Sequence, residues 1–142
     1  MNNGVLLDTH IALWLDSGDA RLRSATRARI DDCWRNEGTI FLSAVTVWEI
    51  ALLLDTGRIE LDIPIASWIR RFLERPGIHA VPLNHQAAAR AYEFSLLEHR
   101  DPADRLLIAT AIELDCPLVT YDERIARFGK RYGRRYGFAV LS

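Results

Sequence analysis

The sequence predicts an α/β fold with a central, mainly parallel sheet covered by helices on both faces. Short, continuously apolar runs (GVLL, TIFL, PLV, FAVL) alternate with longer stretches that carry helical spacing. Strands that are apolar on both sides, without polar alternation, suit a sheet buried on both faces. Two of these runs also end on an acid, Asp8 after GVLL and Asp122 after LVTY. In open α/β sheets the ligand site lies just beyond the carboxyl ends of the strands.

Each element has its own signal. GVLL reads as the first buried strand, with Asp8 placed to cap the helix THIALWLDSGD. RLRSATRARIDDCWRNEG places Leu22, Ala25, Ala28, Ile30, Cys33 and Trp34 at helical spacing, and Gly38 is expected to end that helix. TIFLS is the second strand. Ser43 then caps AVTVWEIALLLDTG, which closes near Gly57. IASWIRRFLERPG is an amphipathic helix stopped by Pro76-Gly77, and IHAVPL is the third strand. NHQAAARAYEFSLLEH is expected to be one helix capped by Asn84. DPADRLLIATAIELD follows as another helix, with Asp101 at the cap, Pro102 at the first helical position and Asp104 two residues further on. CPLVTYD holds a short strand, ERIARFGKRYG is helical, and FAVLS is the last strand. No repeat, linker or low-complexity tract divides residues 1–142, which are read as one domain of ordinary size, within ~100–200 residues.

Composition narrows the function classes. An apolar fraction of 49% supports a proper core and excludes a disordered chain. No apolar run approaches the ~18–20 residues that span a bilayer, so no membrane partner is expected. The start MNNGVLLD has neither a basic region nor a long apolar one, and a cytoplasmic protein is expected. Cys33 and Cys116 are too far apart for a CxxC pair and read as reduced thiols. The net charge of −1 argues against a purely electrostatic nucleic-acid binder. The charge is unevenly spread, however. Residues 122–137 carry Arg124, Arg127, Lys130, Arg131, Arg134 and Arg135 against Asp122 and Glu123, either a solvated helix face or a rim that tracks phosphates.

The acids carry the chemistry. Asp8, Asp101, Asp104 and Asp122 each have a sufficient structural explanation as helix caps or first-turn acids. Glu49 is harder to explain that way, because it lies inside the apolar helix AVTVWEIALLL, where a carboxylate is costly unless paired or bound to a cation. Ser43, Thr46 and Glu49 recur every three residues and form one polar stripe on that helix. A Glu–Arg structural pair is the other reading. Several carboxylates gathered at one sheet edge repel each other, and a divalent cation relieves the conflict. Carboxylates with hydroxyls suit Mg2+ or Mn2+. His10, His79, His85 and His99 have no metal-ligand spacing, so zinc is not expected. Neither a phosphate-binding glycine loop nor a GxSxG elbow is present. Metal ions held by acids at such an edge point to phosphoryl chemistry, and such a site also suits phosphatase or phosphotransfer reactions. A dehalogenase-like phosphatase using Asp8 would need an acid two residues later, where this chain has His10.

LLDTHIALWL, SAVTVWEIALLL, HRDPADRLLIATA and LVTYDERI, in that order, resemble the four signature blocks of the PIN-domain nucleases, most closely the VapC toxins of type II toxin–antitoxin pairs. The resemblance implies a PIN-like three-layer α/β/α sandwich. It implies a site in which Asp8, Glu49, Asp104 and Asp122 bind Mg2+ (or Mn2+) and activate water to cut RNA, with Asp8 and Asp104 as principal ligands. Thr120 matches a supporting hydroxyl, Thr9 and Ser43 are weaker hydrogen-bonding candidates, and Asp101 is a helix cap or outer-shell helper. The chain departs from the pattern at Leu53, where close relatives often carry Lys, and at Ala103, where they often carry Phe. The implied partners are an RNA substrate, a cognate VapB-type antitoxin, operator DNA through that antitoxin, and a second copy of the chain in a homodimer. A catalytically silent PIN module acting through antitoxin and operator DNA is the alternative. Trp14, Leu15, Trp48 and Trp68 are apolar groups that either line such partner surfaces or, more simply, lie in the core.

Overall fold

The computed structural model describes residues 3–142; Met1 and Asn2, the first residues of the segment read for a leader, lie outside them. Among the described residues the chain forms five strands and seven helices. The strands are β1 (Gly4–Leu7), β2 (Thr39–Ser43), β3 (Ile78–Val81), β4 (Leu118–Val119) and β5 (Val140–Leu141). They make one sheet in the order β3-β2-β1-β4-β5, with every neighbouring pair parallel. The helices are α1 (Thr9–Ser17), α2 (Ser24–Arg35), α3 (Ala44–Asp55), α4 (Ile65–Leu73), α5 (His85–Arg90), α6 (Pro102–Leu114) and α7 (Glu123–Tyr136).

The apolar strands are buried on both sides. Leu6 and Leu118 face a core shared with α5, α6 and α7, while Val5, Leu7 and Val119 face a second core built with α1, α2 and α4. The alternation of side chains along a strand divides each run between the two layers. Helix α3 serves both cores, Val45 in the first and Ile50 in the second. The sandwich of helices around a parallel sheet is the predicted architecture, with no antiparallel pair among the described residues.

Four local expectations change. Helix α2 ends at Arg35, earlier than Gly38. The left-handed residue of that turn is Glu37, with φ 62°. Gly38 is required for a different reason: a Cβ there would lie 1.9 Å from the Asn3 carbonyl. Helix α5 covers only His85–Arg90, and the predicted helix does not continue to His99. Helix α7 runs on to Tyr136 before Gly137, at φ 71°, turns the chain. The four proposed core residues also divide: Trp68 and Leu15 are buried and Trp14 is half-buried, whereas Trp48 is 55% exposed on the outer face of α3.

Candidate active site

The strand order places the site. The chain builds outward from β1 to β2 and β3, then crosses back to lay β4 on the other side of β1. Ligands in open parallel sheets bind where the order reverses, outside the carboxyl ends of the two diverging strands. Those ends are Asp8, directly after β1, and the segment 120–122 after β4. A cavity of about 510 Å³ opens there, lined by Asp8, Glu49, Asp104 and Asp122, with His99 and Asp101 at its side.

Each acid is held by its own element. Asp8 is 8% exposed. One of its oxygens accepts from the Thr9 amide at 2.8 Å and the other from the Thr120 hydroxyl at 2.6 Å. Thr120, fully buried, also accepts from the Asp122 amide at 3.0 Å, so a single hydroxyl links the loops after β1 and β4. Asp122 caps α7 with one oxygen, which accepts from Arg124 and Ile125 amides at 2.9 and 3.0 Å. Glu49 accepts from the Thr9 hydroxyl, which lies 3.4 Å from the Thr46 hydroxyl. The polar stripe on α3 therefore meets α1, and among the described residues Glu49 has no arginine partner. Ser43 is used up as the α3 cap, accepting from the Val45 amide at 3.0 Å. Asp101 caps α6 by accepting from the Asp104 amide at 3.0 Å. Asp104, in the first turn of α6, is left to face the cavity.

The four histidines have no metal-ligand spacing in the sequence, yet the structure places His99 beside the acids. That residue is 9% exposed, and its Nε2 bonds Asp104 Oδ2. Donor atoms of His99, Asp104 and Asp122 lie within 4.8 Å of one another. No spacing rule reveals this, because the segment before Asp101 is irregular. Arg105 holds it so. The guanidinium is buried, and it donates to the carbonyls of Ala91, Leu97 and His99 at 3.0, 2.7 and 3.0 Å. The Ala91 carbonyl takes an arginine donor in place of the Ser95 amide a continuing helix would offer, and the Leu97 and His99 carbonyls, in the last turn of such a helix, take the other two, so α5 stops early and His99 is turned toward the acids.

The electrostatics follow from burial and crowding. Desolvation pushes Asp8 upward, and the nearby Asp122 charge adds to it, against the pull of the Thr120 and Thr9 hydrogen bonds. Glu49 is raised by burial, with Asp8 and Asp101 repelling its charge. Asp104 is pushed up to about 6 by burial and by Asp8 and Asp101, although the His99 hydrogen bond opposes this. Among the described residues, none of the four acids forms an ion pair with Arg or Lys. Four crowded carboxyls with oxygen atoms directed at one cavity form a site that favours a cation. Ala103, the residue that departs from the pattern beside Asp104, is 4% exposed and packed in the core. Leu53 is half-buried on α3.

The PIN domain family model matches residues 5–131. Ribonuclease VapC22 of Mycobacterium tuberculosis is 36% identical over 121 residues, covering 85% of this chain and 88% of that protein. Among solved structures, VapBC2 from Rickettsia felis bound to a DNA fragment from its promoter matches with a TM-score of 0.67 at 17% identity, over 97% of each chain. A toxin–antitoxin complex from Klebsiella pneumoniae matches with a TM-score of 0.60 at 18% identity, over 97% of this chain and 96% of that one. At those identities the two structures speak for the fold.

Proposed function

This chain belongs to the PIN domain family as a VapC-type member, and we propose that it is a Mg2+- or Mn2+-dependent endoribonuclease that acts as the toxin of a toxin–antitoxin pair. The observation that carries the reading is the convergence of Asp8, Glu49, Asp104 and Asp122, from four separate places in the chain, on one cavity where, among the described residues, none of the four is ion-paired to a lysine or arginine, although Arg21 and Arg124 also line it. The donor set fits the ion: carboxylate oxygens suit Mg2+ and Mn2+, and the upward shifts of Asp8, Glu49 and Asp104 are what a divalent cation would relieve.

Asp8 and Asp104 would be the principal ligands, with Glu49 and Asp122 completing the site and the His99 nitrogen beside them as a further donor. When bound, the cation lowers the pKa of water and stabilises charge on the leaving oxygen of the phosphodiester. The chain's own contribution is positioning. Thr120 holds Asp8 and fixes the start of the 122 loop, Thr9 holds Glu49, and His99 holds Asp104. A carboxylate of this group that is free of a proton can accept one from the attacking water.

The same reading gives the partners: an RNA substrate, a small cognate antitoxin through which operator DNA is reached, and a second copy of the chain. The ribonuclease identity of the M. tuberculosis relative supports the reaction, and the R. felis and K. pneumoniae complexes support the antitoxin. Trp48 and Leu52, exposed on α3 next to Glu49, offer apolar surface to a protein partner.

The test is cleavage of a panel of structured RNAs with Mg2+ or Mn2+ by the native chain, Asp8→Asn and Asp104→Asn. The native chain should cut, and both variants should lose cleavage while keeping their melting profile. Equal activity in all three would refute the site. A native chain that neither cuts RNA nor gains thermal stability from millimolar Mg2+ or Mn2+ would be the silent module instead, because an ion that binds only the folded state must stabilise it.

A further inference from the structure

We propose that a shallow groove beside the acid cavity, lined by Arg124, Arg127 and Arg131 of α7, is the track along which single-stranded RNA leaves the site. The inference rests on the ribonuclease reading above and names the path of its substrate. The groove has a volume of about 260 Å³ and lies between α7 and the segment 96–99. It is continuous with the acid cavity, since His99 and Arg124 line both.

The electrostatic need for such a track is plain. A chain with net charge −1 and four acids at its site repels a polyanion. The substrate must therefore meet concentrated positive charge close to the acids. The structure divides the six basic residues of the 122–137 region. Arg124, Arg127 and Arg131 line the groove, whereas Lys130, Arg134 and Arg135 do not. The three lie at spacings of three and four, on one face of the helix, spanning about 10 Å along its axis. All three are exposed, and among the described residues none has a carboxylate partner within ion-pair distance. Among the described residues Glu98 is the one acid lining the groove, so the positive charge of the three arginines prevails.

The groove's other walls suit unpaired bases. Leu97 and Phe128 are buried in its floor. Tyr132 is half-buried at its far end, with the Arg131 guanidinium 5.5 Å from the ring centre. Arginines that follow the phosphates beside an aromatic face are the elements of sequence-tolerant single-strand binding. A duplex would keep its bases stacked away from such a wall.

The experiment measures binding of a short fluorescein-labelled single-stranded RNA to the full chain in EDTA, where cleavage is prevented. The double variant Arg127→Glu/Arg131→Glu is compared with Arg134→Glu/Arg135→Glu, which changes charge equally outside the groove. The groove variant should weaken binding by at least about tenfold and flatten the slope of log K against log salt by about 1.4, the share of two single-strand phosphate contacts. With metal present its KM should rise while kcat holds. The control pair should stay within about twofold of the native chain, taking rim charges as weakly contributing. Arg127→Gln/Arg131→Gln, with a smaller effect in the same direction, covers the case in which charge reversal disturbs the fold. Equal losses in both charge pairs, or a groove variant with native affinity and salt slope, would overturn the track and leave the stripe to a protein partner. A native chain that neither binds nor cuts RNA would instead refute the ribonuclease reading itself.

Discussion

Asp101 and Asp104 stand three residues apart at the start of α6, yet their environments give them different jobs. Asp101 spends one oxygen on the Asp104 amide and is exposed. Asp104 is partly buried, bonded to His99 and turned to the cavity. Asp101→Ser should therefore retain the cap and the activity, whereas Asp101→Ala should cost about 1 kcal/mol of stability. Asp104→Asn should preserve the fold and abolish metal-stimulated cleavage. Paired urea melts and single-turnover assays check all three, and loss of activity in Asp101→Ser would mean that its carboxylate takes part in the chemistry. At this scale the sequence is legible where a residue contradicts its surroundings. Glu49 stood out as one acid in an apolar helix, and its partner proved to be the Thr9 hydroxyl of α1, which also reaches the Thr46 hydroxyl. His99 contradicted nothing in its local sequence, so its place beside Asp104 could not be read.

At the scale of elements, the segment after α5 is where periodicity misled. The apolar spacing of Ala87, Ala91, Phe94 and Leu97 is that of a buried helix face, and all four residues are indeed buried. The backbone nevertheless leaves the helix after Arg90 because Arg105, from the next helix, supplies donors to the Ala91, Leu97 and His99 carbonyls. A long-range guanidinium outbids the local hydrogen bonds, and hydrophobic spacing carries no trace of it. Arg105→Met should leave three buried carbonyls without their donor and destabilise the chain by at least about 3 kcal/mol. Arg105→Lys should not rescue it, since a point charge cannot reproduce the planar fork. Chemical denaturation measures both. A change below about 1 kcal/mol would show that solvent replaces the guanidinium readily. In contrast, the helix starts at Ser43, Asn84, Asp101 and Asp122 were legible, because a capping oxygen acts within three residues of itself.

The whole molecule assembles its site at the reversal of strand order, and the price of that assembly is crowding among carboxyls. Asp104, pushed up to about 6, exceeds the roughly 3.9 of an unfolded aspartate. Between those values the folded chain holds a proton that the unfolded chain has released, so this group's contribution to metal-free stability is full below about pH 3.9 and is lost as pH rises through about 6. A cation competes with the same proton. Apparent metal affinity should rise by at least about tenfold per pH unit as pH climbs toward about 6, because Asp8 and Glu49 are shifted in the same direction as Asp104. Thermal melts with and without Mn2+ across this range check the sign. A metal-induced shift that does not depend on pH would contradict it, and Asp104→Asn should shrink the metal-free decline, leaving the share of Asp8 and Glu49.

The sequence by itself determined the alternation of elements, the parallel sheet covered on both faces, the helix caps and the candidate acids. These depend on apolar period and on interactions reaching a few residues. Only the tertiary structure decided that Asp8 and Asp122 flank the strands where the order reverses, that Arg105 unwinds the segment before α6, that His99 joins the acids, and that three of six basic residues share a groove with the site. Each of these joins groups from different elements, and the pattern of neighbours along a chain does not encode which elements will meet.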